Sequence, residues 1–98
     1  MLYMKWAIAS ASHILVNNKL LANTIKSKIT NNNNFKELAK EYSQCYTYKN
    51  GGYIGYFMPE EMVSEIDKVV SSGNLNKVLG PIKTIFGYHL FLIHTIEH

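Results

Sequence analysis

The chain has 98 residues, 47% of them hydrophobic and 17% charged, which excludes a disordered protein and leaves room for one domain over residues 1–98. The formal net charge of +3 rests on scattered lysines without an arginine. We therefore expect no nucleic-acid partner, because the arginine fork is the preferred ligand of phosphate and guanine. The single cysteine, Cys45, excludes a disulfide within the chain.

The first half of the chain predicts a strand and then two amphipathic helices. Residues 3–16 form an apolar run typical of a strand, and a four-residue period then predicts a helix over residues 19–30. Asn34 followed three residues later by Glu37 is a helix-start pattern, and the apolar spacing continues this second helix to Ser43. We expect both helices to cover the core.

The second half predicts a loop, a third helix and three strands. Residues 44–52 form a polar loop with room for one helical turn. Pro59 with the two glutamates after it suits the first turn of a helix, which we expect to end at Gly73. The strands are predicted at residues 53–57, 80–84 and 88–96. With a turn at residues 85–87, the order indicates an α+β domain with a small mixed or antiparallel sheet.

The N-terminal residues bear on location. Residues 1–9 are apolar but contain a lysine, and they continue directly into the first predicted strand, which disfavours a cleaved signal peptide. No apolar run is long enough to span a bilayer. We therefore expect a cytoplasmic protein without a membrane partner.

Two histidines lie on apolar, strand-like runs, His13 near one end of the chain and His89 near the other. A lone histidine in such a run is usually a core residue. If the two strands are neighbours, the neutral rings can meet across the ladder and share a hydrogen bond. Two imidazoles in contact cannot both be protonated cheaply, so we expect at least one pKa below its ordinary value. We expect no metal, because Cys45 and His94 lack the spacing of zinc ligands.

A cysteine and an apolar group complete the candidate chemistry. Cys45 lies in the polar loop and can act as a nucleophile with either histidine, although no oxyanion loop is recognisable; a buried, inert thiol is the alternative. An apolar pocket beside the histidines is a further candidate, lined by Met62, Ile66 and Phe86. At helical spacing the first two are more often plain core. The pattern alone leaves these alternatives open.

Five segments together resemble the parvulin family of peptidyl-prolyl cis–trans isomerases. They follow the family's order and spacing from about residue 9 to residue 96, which makes the chain similar to a short, stand-alone bacterial parvulin. The segments are 11–16 (ASHILV), 35–43 (FKELAKEYS), 51–57 (GGYIGYF), 62–63 (MV) and 80–89 (GPIKTIFGYH). The resemblance implies a four-stranded antiparallel sheet surrounded by about four helices, with both histidines side by side on the central strands.

The resemblance also implies which residues take part in catalysis. His13 and His89 match the family's two active-site histidines, and Cys45 matches its cysteine-or-aspartate position. Thr84 matches the hydroxyl beside the second histidine. We favour a noncovalent role for Cys45, in which the thiol tunes the field near the substrate carbonyl, over nucleophilic attack.

The substrate-binding residues implied by the resemblance form a proline pocket. Met62 and Phe86 match its walls, and Ile54 matches its aliphatic edge. Ile66 stands where the family usually has phenylalanine, which predicts a wider or less well packed pocket. The two glutamates before Met62 replace the family's usual glycine-containing turn, which predicts an altered rim.

The function implied is peptidyl-prolyl isomerisation in protein folding, by a monomer that binds proline-containing peptides or unfolded segments without a cofactor. Residues 17–21 carry one lysine and no arginine, so we expect no phosphate requirement and a preference for uncharged residues before proline. A non-catalytic chaperone that holds proline-containing segments is the first alternative, and the isoleucine at position 66 is its best indication. A thiol hydrolase using Cys45 is the second.

Overall fold

One four-stranded antiparallel sheet with helices on both faces organises residues 6–98, which are the residues described by the structure, a computed structural model. The elements in chain order are β1 (Ile8–Val16), α1 (Lys19–Lys28), α2 (Asn32–Tyr42), a 3-10 turn (Tyr46–Asn50), β2 (Tyr53–Phe57), α3 (Ser64–Ser71), β3 (Val78–Thr84) and β4 (Gly87–Glu97). The predicted α+β class and antiparallel sheet are confirmed, with three α-helices and the 3-10 turn around it. None of the helices within residues 6–98 is long and apolar enough to cross a membrane.

The sheet order is β2-β1-β4-β3, so the strand nearest the N-terminus and the last strand lie together at the centre. In their antiparallel register Leu15 lies opposite His89, and His13 lies opposite Phe91. This is the central placement of both histidine strands that the family resemblance implies. β1 begins at Ile8, and the first residues of the predicted strand, 3–5, lie outside the described part of the chain.

Side chains alternate between the two faces of the sheet, and each face has its own buried cluster. On the first face α3 packs against the strands and buries Ile66 and Val70 beside Phe91. On the second face α1 and α2 cover Ile14 and Leu90 of the central strands. The two helices predicted as core cover do serve that purpose, and the first face is left to α3 and the histidines.

Asparagine side chains start both helices on the second face. The Asn18 side chain accepts a hydrogen bond from the Leu21 N–H at 2.6 Å at the start of α1. The Asn31 side chain accepts one from the Asn34 N–H at 2.8 Å at the start of α2. The predicted start of α2 at Asn34 was therefore three residues late, because the first asparagine of the run already supplies the cap.

The third helix begins at Ser64, so the first turn predicted over Pro59 and the two glutamates is wrong. Glu60 has a φ of 72°, a left-handed conformation that does not occur inside a right-handed helix. Its N–H donates to the side chain of Asp67 instead of entering a helical ladder. At the other end Gly73, predicted to terminate the helix, does follow its last turn with a φ of 76°.

The remaining predictions differ from the structure only at their edges. The polar loop at residues 44–52 contains the 3-10 turn, β3 starts two residues earlier than predicted, and β4 extends one residue further at each end. The turn between β3 and β4 is tight because Gly87, with a φ of 139°, lets the backbone approach the Val16 carbonyl. A Cβ atom at position 87 would lie 2.6 Å from that oxygen. This turn places Phe86 beside the histidines.

Candidate active site

The two histidine rings meet on the first face of the sheet. The Nδ1 atoms of His13 and His89 are 3.1 Å apart, and the rings stack with centroids 5.2 Å apart. Both residues are buried, with exposed fractions of 6% and 4%. The contact is diagonal, because His89 lies opposite Leu15 in the ladder and His13 lies opposite Phe91. The phenylalanine ring stacks on both imidazoles and holds them parallel.

A chain of hydrogen bonds links the pair to the turn after β3. The Phe86 N–H donates to Thr84 Oγ1 at 3.1 Å, and the same oxygen lies 2.7 Å from His89 Nε2. A hydroxyl has one hydrogen and two lone pairs, so Thr84 can either donate to His89 Nε2 or accept from it. In both arrangements one neutral ring donates to the other through the two Nδ1 atoms.

Burial keeps both rings uncharged at neutral pH. Burial, with a smaller contribution from the neighbouring His89, lowers the pKa of His13 to about 4. Burial also lowers the pKa of His89, while the carboxylate of Glu65 acts in the opposite direction. The predicted lowering of at least one histidine pKa thus applies to both rings, and its main cause is loss of hydration rather than contact between the rings.

A cavity of about 290 Å³ opens beside the pair. Its lining includes seven of the eight residues predicted from the sequence, namely His13, Cys45, Ile54, Met62, Ile66, Phe86 and His89. The eighth, Thr84, stands behind His89 as its hydrogen-bond partner. Apart from the imidazoles, a thiol and one phenol, the wall is hydrocarbon. Such a surface suits an apolar ring and offers no charged group to a substrate.

Four lining residues were not predicted: Leu15, Tyr46, Val63 and Phe91. Strand alternation could have identified Leu15 and Phe91, because they share a face with His13 and His89 respectively. Val63 directly follows Met62. Tyr46 is 83% exposed and lines the cavity from the first position of the 3-10 turn, a placement that no local pattern indicates.

The floor and the rim of the cavity differ in exposure. Ile66 is buried within the core cluster of the first face, so the isoleucine is both pocket floor and core. Phe86 is 62% exposed and Met62 is 38% exposed, so they form the exposed edge of the cavity. The wider or less well packed pocket expected from isoleucine at this position stays a prediction.

The loop that carries Cys45 is tied to the end of β1. Ser43 Oγ accepts from the Leu15 N–H at 3.1 Å and from the Cys45 N–H at 3.4 Å, and the Gln44 N–H donates to the Leu15 carbonyl at 2.8 Å. These bonds hold the half-buried thiol at the cavity wall that also contains His13. The position suits a noncovalent contact with a bound peptide.

Two carboxylates hold the rim segment, residues 58–63, that carries Met62. Glu61 Oε1 accepts from the Met58 N–H at 2.9 Å, and Asp67 Oδ2 accepts from the Glu60 N–H at 3.0 Å. The other Asp67 oxygen is buried without a hydrogen-bond partner among the described residues. An aspartate from α3 therefore fixes a left-handed residue in this segment. The altered rim expected from the two glutamates stays a prediction.

Residues 6–98 contain no group of three or more histidine, cysteine, aspartate or glutamate side chains placed to hold a metal ion. His94, considered as a zinc ligand from the sequence, lies on the second face of the sheet. Its Nε2 is 2.8 Å from Ser12 Oγ.

Comparison with known proteins agrees with this geometry. The sequence pattern of the family described as rotamase, PPIC-type PPIASE domain, matches residues 13–95. Foldase protein PrsA of Geobacillus kaustophilus is 39% identical over 84 residues, and Parvulin-like PPIase of Rickettsia prowazekii is 38% identical over 86 residues. These segments cover 85% and 84% of this chain. The chain spans only 30% of the length of either curated relative.

The crystal structure of the peptidylprolyl isomerase PrsA from Bacillus anthracis has the same fold. It superposes with a TM-score of 0.87 at 30% sequence identity, over 95% of this chain and 43% of that one. Because the family pattern covers most of the chain and spans both histidines, the chain belongs to the PPIC-type, or parvulin, family of peptidyl-prolyl cis–trans isomerases.

Proposed function

We propose that this domain accelerates rotation about the peptide bond before proline by noncovalent contacts made in the cavity beside His13 and His89. The observation that carries the proposal is the coincidence of a buried, uncharged histidine pair with a hydrocarbon cavity in a member of this family. An apolar wall favours the proline ring over any charged side chain. The substrates we propose are proline-containing peptides and unfolded protein segments.

The energetic requirement is modest. Rotation about an X–Pro bond takes tens of seconds unaided because amide resonance resists twisting. Ordinary enzyme turnover requires that the barrier fall by roughly 4–7 kcal/mol, at about 1.4 kcal/mol for each tenfold gain in rate. The twisted bond has lost charge separation, so an apolar cavity favours it over the planar amide. No covalent intermediate is needed.

The proposed roles follow from position. His13 and His89 form the uncharged wall beside which the prolyl bond lies, and Thr84 positions them through His89. Met62, Phe86 and Ile66 hold the proline ring, with Ile54 at the edge. Cys45 contributes the field of its thiol near the substrate carbonyl. With the ring held fixed, rotation of the carbonyl side completes the reaction.

A protease-coupled isomerisation assay with a short uncharged X–Pro peptide tests the proposal. We expect His13→Ala and His89→Ala each to lower kcat/KM at least tenfold, whereas Lys40→Ala, on the outside of α2, stays within twofold of the original chain. Circular dichroism at the assay temperature establishes that each variant is folded. Full activity in a folded His13→Ala variant would overturn the proposed site.

The non-catalytic alternative rests on one observation, the exposed apolar rim around a cavity with isoleucine at its floor. A binding module would suppress the aggregation of an unfolded protein while showing no isomerase activity. The same assay separates the two functions. A measured rate acceleration rejects the binding-only function.

The cytoplasmic location predicted from the sequence stays a prediction. One solved relative covers 97% of this chain at 30% identity, and its description names two SurA-like chaperones of Campylobacter jejuni, a virulence factor and a periplasmic protein. Immunodetection in fractionated source cells decides the compartment. Recovery with a periplasmic or secreted fraction would contradict a cytoplasmic location.

A further inference from the structure

A second concave site lies on the face of the sheet opposite the proline cavity. Leu92 and His94 of β4 alternate with His89 and Phe91, so their side chains point to the second face. There α2, the end of the 3-10 turn and the start of β2 enclose a groove of about 450 Å³. We refer to it as the rear groove. Its floor includes buried Phe35 and Leu92, and none of its lining residues belongs to the proline cavity.

The rear groove contains a lysine without a carboxylate partner. Lys36 of α2 lines the groove, no aspartate or glutamate does, and the ion pair found within residues 6–98 joins Lys40 to Glu37 instead. The aliphatic stem of Lys36 packs against the backbone at Gly51, where an added Cβ would lie 2.8 Å from the lysine Cβ. Lys36 itself is exposed and has no carboxylate beside it in the groove, so its ammonium group is available to a bound anion.

Polar groups without charge surround the lysine. His94 is fixed by the 2.8 Å contact of its Nε2 with Ser12 Oγ, and its ring lies against Tyr53 with centroids 6.0 Å apart. Burial, followed by the charge of Lys36, lowers the pKa of His94, so the ring is uncharged at neutral pH. The amides of Asn32 and Asn50 line the same groove. They can bond the backbone of a peptide, since each amide both donates and accepts.

We propose that the rear groove binds a peptide segment in which a glutamate or aspartate lies next to an aliphatic or aromatic residue. The carboxylate meets the Lys36 ammonium, and the apolar neighbour rests on the ring of Tyr53, which lines the groove and is 42% exposed. One positive charge matches one carboxylate, whereas a phosphate monoester carries nearly two negative charges at neutral pH. The site is separate from the proline cavity and requires no proline in its ligand.

Two-dimensional 15N–1H NMR titration of the whole chain tests this site. The probe is the capped peptide acetyl-Leu-Glu-Phe-Ser-amide, with the same peptide carrying glutamine for glutamate as its neutral counterpart. We expect shifts confined to residues 32–36, 50–53 and 92–94, and an affinity at least fivefold lower for the neutral peptide. Shifts at residues 13, 45 and 89 instead, equal affinity of the two peptides, or no shifts would each overturn the proposal.

Variants make the test specific to the ammonium group. Lys36→Met keeps the stem that packs on Gly51 and should weaken binding of the glutamate peptide at least fivefold. The matched control, Lys40→Met, lies one turn further along α2 and should change binding less than twofold. Equal loss of binding in the two variants would show that the peptide responds only to the net charge of the protein, and would overturn the assignment of the carboxylate to Lys36. A phosphoserine peptide that binds more tightly than the glutamate peptide would overturn the choice of a carboxylate.

Isomerase activity keeps this test separate from the proposed function. Lys36 and His94 lie outside the proline cavity, so Lys36→Met should retain activity on a short uncharged X–Pro peptide within twofold of the original chain. Loss of acidic-peptide binding with retained activity supports the rear groove. The peptides used to measure binding contain no proline. The binding result therefore tests the rear groove whether or not the domain isomerises proline.

Discussion

The histidine pair is held by a chain of hydrogen bonds. The Phe86 N–H donates to Thr84 Oγ1, the same oxygen is hydrogen-bonded to His89 Nε2, and the two Nδ1 atoms join His89 to His13. Every bond in this chain can form while both rings are neutral. Burying the two imidazoles removes their hydration, and the free-energy cost of that burial is tolerable only while both rings stay neutral.

That cost predicts how stability depends on pH. His13 has a folded pKa of about 4, below the value near 6.5 expected in the unfolded chain, so between these values the unfolded chain binds more protons. Its contribution is therefore complete above pH 6.5 and is lost as pH falls towards 4, by about 3 kcal/mol. Urea unfolding from pH 7.5 to 4.5, with NMR titration of each ring, measures this. Protonation of both rings at or above pH 6.5 would contradict the paired arrangement.

Cys45 offers a second prediction for a single residue. If the thiol only tunes the field near the substrate carbonyl, the negative charge of a carboxylate at the same place can take over that role. We therefore expect Cys45→Asp to keep at least a tenth of the original kcat/KM, and Cys45→Ala to lose more activity than Cys45→Asp. Mass spectrometry after incubation with substrate should detect no adduct. Complete inactivity of folded Cys45→Asp would instead favour nucleophilic attack.

At the scale of elements, the rim segment at residues 58–63 decides how firmly the proline ring is held. Asp67 of α3 fixes this segment through the Glu60 N–H. Asp67→Ala should free the rim and raise KM about threefold to tenfold, with a smaller change in kcat. Asp67→Asn should restore KM, because its carbonyl oxygen can accept the same N–H. Steady-state kinetics on one X–Pro peptide measures both variants. If Asp67→Asn behaves like Asp67→Ala, a positioning role by this hydrogen bond is wrong.

The same rim shows where sequence reasoning ends. Alternation and helical spacing predicted every strand and helix, because apolar periodicity records which face is buried. The start of α3 was wrong because proline and two glutamates favour a helix locally, whereas the left-handed Glu60 is held by Asp67, seven residues away. Asn31 was missed as a cap because four consecutive asparagines are locally equivalent. Most residues of the cavity were predictable from the family's motifs. The position of Tyr46 was not, because it depends on the three-dimensional course of the 3-10 turn.

The molecule as a whole uses one sheet to separate two sites. The proline cavity lies on the face with α3, and the rear groove lies on the face with α1 and α2. Residues 53 and 54 are neighbours in β2 and contribute to opposite sites. A client chain longer than a short peptide can therefore contact both faces only by passing around an edge of the sheet.

The distribution of charge over the whole chain predicts which residues are preferred before proline. No lysine lines the proline cavity, and the segment after β1 supplies only Lys19. A phosphate there would keep most of its hydration instead of gaining a charged partner. Among peptides that differ only at this position, kcat/KM should be highest for leucine and alanine, lower for glutamate and lowest for phosphoserine. Raising the ionic strength should reduce the difference in kcat/KM between charged and uncharged peptides only modestly. The reason is that hydration of the charged group, rather than long-range repulsion, causes this difference. An advantage for phosphoserine would show that distant lysines converge on the substrate and would refute an uncharged preference.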